Sequence, residues 1–316
     1  FSPFSPLTLT VSVICVPGAT LCELTVVTTF GRVSTRKRSL GALQGVVRPN
    51  VPESPGITSW YAYHPGVFTV SAGVVYEPLP AVYDPDEALR AGAPVLHDYA
   101  PDNVTKHIPI RVGDVDKGCA ESDLVIEETY STQQIEHAYL EPEAGLAYVD
   151  HDGVVTIVSP DQNITHHRHM LARIIAKPIS KVRFIMSPVG GGFGGKEDMI
   201  YQGMLALLAM KTQRPVRLVF TREESIISTA KRHPSRTVLR MGLMRDGRIL
   251  SLQMKMICDG GAYGLSTEGV MRKAAILAAG PYVIPNVRID TFGIYTNNTP
   301  SGAFRSFGAL QTAFAT

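Results

Sequence analysis

Residues 189–197 read Val-Gly-Gly-Gly-Phe-Gly-Gly-Lys-Glu: five glycines around one phenylalanine, closed by a lysine–glutamate pair. An apolar, β-leaning segment precedes them at 182–186, and a helix-like segment follows at 198–211. A strand, a glycine loop and a helix in that order set bare backbone N–H groups at the positive end of a helix. Only the Phe193 ring stands in a ligand's way. The chemistry suited to such a loop is the grip of an anionic cofactor.

Three readings compete for the loop. As GxxxxGK, Gly190 to Lys196 looks like a nucleotide P-loop, but that motif needs a serine or threonine next to hold magnesium. Glu197 stands there instead and would repel a triphosphate. As GxGxxG, Gly190, Gly192 and Gly195 fit a dinucleotide turn, which wants an acidic residue about 20 positions on. Residues 211–220 offer only basic, polar and apolar side chains. The plainest reading is a tight turn that packs a helix closely on a sheet; five glycines are more than that turn needs.

Four further segments decide between them. Gln134-Ile135-Glu136-His137-Ala138-Tyr139-Leu140-Glu141-Pro142 contains QxxHxxLEP. Arg214-Pro215-Val216-Arg217 is followed by Thr221-Arg222-Glu223-Glu224. Then come Asp259-Gly260-Gly261-Ala262-Tyr263 and Ser301-Gly302-Ala303-Phe304-Arg305-Ser306-Phe307-Gly308. Five motifs in this order resemble the xanthine oxidase family of molybdenum hydroxylases over about residues 73–315. Ser306 replaces a glycine of the family pattern.

The resemblance implies an α+β fold, the molybdenum-cofactor-binding domain of the xanthine oxidase type, preceded by a partial hammerhead-like domain. It implies a molybdenum ion carried by a pterin dithiolene, either as plain molybdopterin or as its cytosine dinucleotide. The metal then needs no protein thiolate, and the protein orients the cofactor and tunes it through contacts one shell out. Gly191, Gly192, Phe193, Gly194 and Arg305 are the expected cofactor-binding residues. Gln162, Phe193 and Arg305 are expected nearest the metal, Gln162 as an uncharged amide donor to an apical oxygen. Glu197, Lys273 and Phe307 are expected to contact substrate. A glutamate at position 197 suits a purine-like N-heterocycle, whereas lysine at 273, with Arg272 beside it, replaces the arginine of purine oxidisers and cannot copy its fork. Phe307 offers a face for a planar ring.

The same residues have structural readings. Gln162 can be a surface glutamine beside a cap formed by Asp161 or Asn163. Glu197 can be an acid in a first helical turn. Arg305 can be packed between Phe304 and Phe307. His166 and His169 share a helix face and His167 does not; with no carboxylate or cysteine to complete a coordination sphere nearby, they read as a polar face rather than a zinc site. His137 reads as a buried hydrogen-bonding residue rather than a base.

The resemblance places the general-base glutamate in a C-terminal GxGE-type loop, so no catalytic residue is expected among residues 1–316. A second molybdopterin subunit would supply it, and partner chains would supply iron–sulfur clusters and FAD. The alternatives are an inactive fragment or scaffold, a hydroxylase of aldehydes or nicotinate-like substrates, and a nucleotide-binding protein.

The elements that must position these residues alternate between strands and helices. Residues 1–72 are rich in Ser, Thr, Pro and Val without a clean period, and read either as a divergent region or as an unreliable one from a damaged or shifted reading frame. Residues 73–115 close the hammerhead-like domain, with a strand expected over 74–82 and a helix starting at Asp84-Pro85. Residues 116–316 are expected to form the first part of the molybdopterin-binding domain. It holds strands over 124–130, 147–160 and 216–220, and a helix over 164–176 with Met170, Ile174 and Ile175 on its apolar side. A hairpin is expected to turn at Asp246-Gly247.

At 316 residues the chain can bury a sizeable core, and a net charge of +2 argues against nucleic acid or anionic membrane as a partner. Cys15, Cys22, Cys119 and Cys258 form no CxxC pair and read as reduced thiols of a cytoplasmic protein. No apolar run reaches the length of a membrane span, and no basic n-region announces a signal peptide.

Overall fold

The computed structural model describes residues 80–316, together with the backbone of four strands before them. Those strands are β1 (Thr8–Cys15), β2 (Cys22–Thr29), β3 (Ile57–His64) and β4 (Val67–Val74). Beyond them come α1 (Pro85–Ala88), β5 (Val104–Val112), α2 (Val115–Ala120), β6 (Leu124–Thr132), β7 (Ala144–Val149) and β8 (Val155–Ser159). Next are α3 (Ile164–Ile174), β9 (Val182–Met186), α4 (Gln202–Thr212), β10 (Val216–Val219), α5 (Arg222–Ser228) and β11 (Ser235–Leu243). The chain finishes with β12 (Ile249–Gly261), α6 (Thr267–Leu277), β13 (Asn286–Tyr295) and α7 (Ala309–Ala315).

Two compact units share these elements. The first comprises residues 1–79, 140–190 and 199–227; the second comprises 80–139, 191–198 and 228–316. The first holds a mixed eight-stranded sheet in the order β3-β4-β1-β2-β10-β7-β8-β9. Its core sets Ile157 of β8 and Leu218 of β10 against Leu171 of α3 and Leu205 of α4, all fully buried. The second holds a five-stranded sheet in the order β5-β13-β12-β11-β6. β12 and β13 are parallel, so a crossover must join them, and α6 provides it. Met254 and Met256 of β12 and Met271 of α6 are buried beneath that crossover. The α+β class expected from the sequence is the one observed.

Local expectations hold where short-range chemistry decides. Asp84 caps α1 through its Oδ1, with Pro85 at the first helical position. β11 and β12 pair antiparallel around the Asp246-Gly247 turn.

Four expectations fail. Residues 80–82 are not strand, and residues 75–79 of the expected strand lie outside those described. α3 buries His167, Leu171 and Ile175, whereas Ile174 is 48% exposed and Met170 only half-buried. Spacing by four fixes that stripe, and the histidine inside it hid the period. The segment after the glycine loop becomes helical only at Gln202, whose Oε1 accepts the N–H groups of Ile200 and Tyr201. Four strands occupy the stretch before residue 75, where no period was legible; their partners come from distant sequence, including β10 against β2.

Candidate functional site

The glycine loop is a pair of tight turns, not the N-terminus of a helix. Gly195 N–H donates to the Gly192 carbonyl at 2.8 Å and Glu197 N–H to the Gly194 carbonyl at 3.1 Å. Phe193 sits between them with φ +54°, a left-handed conformation strained for a bulky residue. Phe193 is 49% exposed. Gly194 has φ +99°, and a Cβ there would stand 2.5 Å from the Ala303 carbonyl oxygen. A Cβ on Gly195 would press on the Tyr139 ring at 2.7 Å and on His137 at 2.9 Å. Glycine is required at both positions for different reasons: one by conformation, the other by close approach.

Neighbouring motifs hold this loop within each unit. In the first unit, the Glu141 carboxylate accepts the Gly190 N–H at 2.8 Å, and the Glu141 N–H donates to the Gly190 carbonyl at 3.2 Å. In the second, Lys196 is buried, its ammonium 4.8 Å from the Tyr139 ring centroid. A P-loop lysine must reach its phosphates, so a buried Lys196 engaged with an aromatic ring, followed by Glu197, opposes the nucleotide reading.

The Arg305 loop meets the glycine loop directly. Arg305 N–H donates to the Phe193 carbonyl at 2.9 Å, and the Arg305 side chain is exposed. Beyond it the chain makes three consecutive left-handed residues, Ser306 at φ +80°, Phe307 at +47° and Gly308 at +96°. This turn sets Phe307 against α6, where a Cβ on Gly269 would lie 3.0 Å from the Phe307 ring. The Lys273 ammonium is 5.9 Å from the centroid of the same ring. The second unit therefore brings together Phe193 with Arg305, and Lys273 with Phe307, and also carries Glu197, which is half-buried.

Gln162 belongs to the first unit and is exposed on the turn before α3. Asp161 shapes that turn: Oδ1 accepts the Asn163 N–H at 2.8 Å, and Oδ2 lies 2.6 Å from Nδ1 of His167. Both side chains of that pair are fully buried. His167 thus has a carboxylate beside it. This buried histidine packs α3 to the turn, while His166 and His169 are exposed.

Sequence reasoning passed over Lys231-Arg232-His233. All three are buried, which is rare for consecutive basic residues. Lys231 pairs with Glu136 at 2.6 Å. His233 Nε2 lies 2.8 Å from the Thr267 hydroxyl, and burial pushes its pKa down to about 3. Burial also lowers the pKa of His137, despite the hydrogen bond to Ala303. His137 is therefore held neutral, and the sequence reading of it as a buried hydrogen-bonding residue matches its environment. The available signal was the unbroken basic run, whose burial a single sequence does not reveal. The Asp259 of the DGGAY turn is an organiser: its carboxylate accepts from Thr296 at 2.6 Å, Asn298 at 2.6 Å and Gly261 N–H at 2.8 Å.

A model of the molybdopterin cofactor-binding domain matches residues 96–316. The chain belongs to that family. It is 41% identical over 240 residues to the nicotinate dehydrogenase large molybdopterin subunit of Eubacterium barkeri, covering 76% of this chain and 56% of that protein. It is 39% identical over 242 residues to a probable xanthine dehydrogenase subunit of Bacillus subtilis, covering 77% of this chain and 32% of that protein. The aldehyde oxidoreductase of Desulfovibrio gigas superposes on 79% of this chain and 29% of its own, with TM-score 0.73 and 27% identity. These relatives confirm the xanthine oxidase family that the five motifs pointed to. The chain spans about half or less of the length of these two curated relatives.

The residues present fit a molybdopterin. Among the described residues, no acceptor takes the N–H of Gly191, Gly192 or Phe193, although Gly192 is buried. Unclaimed donors on a Cβ-poor loop, beside an exposed ring and an exposed guanidinium, suit an anionic group with acceptor oxygens.

Proposed function

We propose that the chain forms part of the molybdopterin-binding subunit of a molybdenum hydroxylase that oxidises an N-heteroaromatic substrate with water. The observation that carries this reading is the backbone hydrogen bond from Arg305 to Phe193, which joins the two cofactor motifs. Gly191, Gly192 and Phe193 would offer main-chain donors and Arg305 a cationic fork. The group itself supplies the two-electron redox chemistry. Electrons are proposed to leave through iron–sulfur and flavin partner chains. A cytoplasmic location is part of the same reading, in keeping with the free, buried thiols of Cys119 and Cys258. No helix among the described residues is long and apolar enough to cross a membrane.

The substrate-side residues favour a flat, electron-poor ring. Phe307 supplies a stacking face and Glu197 an acceptor for a ring N–H. Lys273 stands near that face with a charge that a purine does not need and a carboxylated pyridine does. This favours nicotinate-like substrates as a second reading, in line with the Eubacterium barkeri relative's name. A turnover screen of the complete complex against xanthine, hypoxanthine, nicotinate and an aromatic aldehyde tests both. Oxidation of at least one N-heterocycle is expected, and aldehyde-only turnover would overturn the assignment.

A further inference from the structure

The three polar main-chain groups of Ala303 and Arg305 that face the loop's support are each taken by a different segment. The Ala303 carbonyl accepts from His137 Nε2 at 2.7 Å. Arg305 N–H goes to Phe193 at 2.9 Å, and the Arg305 carbonyl accepts from Arg232 Nη2 at 3.2 Å. The ring between them, Phe304, is clasped by the same two side chains. The His137 ring stacks on it at 4.3 Å and 25°, and the Arg232 guanidinium carbon lies 3.9 Å from its centroid.

Arg232 stands in an uncommon position. It is only 5% exposed, and no ion pair to a carboxylate of the described residues is formed. Its Nε and Nη1 are buried without an acceptor among the described residues. A buried guanidinium lacking a counter-charge is expensive, and a methionine of similar length would fill the space more favourably. The strain next door gives it a use. Ser306 and Phe307 hold left-handed conformations that persist only where the surroundings over-determine them.

We propose that Arg232 is a positioning residue of the cofactor pocket: with His137 it locks the Ala303–Arg305 turn, so that the Arg305 N–H stays on the Phe193 carbonyl. The inference rests on the molybdenum reading above and adds a residue that touches neither cofactor nor substrate. Its action needs a flat, forked cation that both stacks and donates, which lysine cannot reproduce.

The test is made on the purified complete complex carrying Arg232→Lys or Arg232→Met. Molybdenum content is measured by mass spectrometry, the Mo(V) signal by electron paramagnetic resonance, and folding by circular dichroism. Both variants are expected to keep native circular dichroism, to lose molybdenum about tenfold and to shift the Mo(V) g-values in what remains. Rescue by Arg232→Lys would overturn the positioning role, because charge alone would then suffice; wild-type content and signal in both variants would overturn it as well. If neither variant folds, Phe304→Leu removes the clasped ring without touching a donor. The same signal shift is expected there, and an unchanged signal sinks the proposal. A folded wild-type complex without molybdenum would instead remove the functional reading, and the inference with it.

Discussion

The backbone N–H of Arg305 donates to the backbone carbonyl of Phe193 across 2.9 Å. The bond joins two loops that both carry left-handed, non-glycine residues, Phe193 on one side and Ser306 and Phe307 on the other. Strain concentrated on both sides of one hydrogen bond is the pattern expected of a functional site rather than of two ordinary turns.

Gly194→Ala attacks that junction. The added methyl would stand 2.5 Å from the Ala303 carbonyl oxygen, at a φ of +99°. A loss of about 2–4 kcal/mol in unfolding free energy is expected from strain and overlap together. Urea unfolding of wild type and variant checks it; a loss below about 0.5 kcal/mol, the ordinary scatter of surface changes, would show that the loops can part.

Ser306→Gly runs the other way. Left-handed backbone costs an L-residue about 1–2 kcal/mol, while glycine forfeits about 0.4–1 kcal/mol through the entropy of the unfolded chain. At φ +80° the balance favours glycine by about 0.5 kcal/mol. A small rise in the urea midpoint is the expected reading, and a fall would show that the serine hydroxyl makes a contact worth more than the strain.

Much of this region was legible in the chain. The Phe193 and Arg305 motifs were readable through their resemblance to a family pattern, and the Asp84-Pro85 start and Asp246-Gly247 turn because their chemistry is local. The buried Lys231-Arg232-His233 run was not, since the partners that make its burial tolerable, Glu136, Phe304 and Thr267, lie far away in sequence. The face of α3 was misread because its pattern includes His167, which is buried only through Asp161. Sheet pairing such as β2 with β10 is likewise non-local, and no period in either strand announces it.

Acid should weaken the second unit. Burial depresses the pKa of His233 to about 3 from 6.5 and also lowers that of His137. Below pH 6.5 the unfolded chain takes up protons that the folded chain refuses. The stabilisation is thus complete at neutral pH and is lost as pH falls through the window from 6.5 to about 3. His233 alone contributes about 1.4 kcal/mol per pH unit well inside that window. Urea unfolding at pH 7.0 and 5.0 reads the slope, and His233→Asn should flatten it; an equal slope in the variant would contradict the assignment.

Glu197→Gln and Lys273→Met separate the two substrate classes. If Glu197 receives a ring N–H, its loss of charge should lower kcat/KM about 10–100-fold for xanthine, in line with a charged hydrogen bond of about 1.5–3 kcal/mol. If Lys273 meets a carboxylate, its removal should penalise nicotinate by a similar factor and leave xanthine nearly untouched. Equal effects of both variants on both substrates would mean that neither residue reads the substrate.

The most direct measurement is the molybdenum content of the purified complex, wild type against Gly194→Ala, by inductively coupled plasma mass spectrometry. Stoichiometric molybdenum in the wild type and its loss in the variant are predicted. A natively folded wild-type complex free of molybdenum would contradict the assignment of Gly191–Gly194 and Arg305 as the cradle of the cofactor.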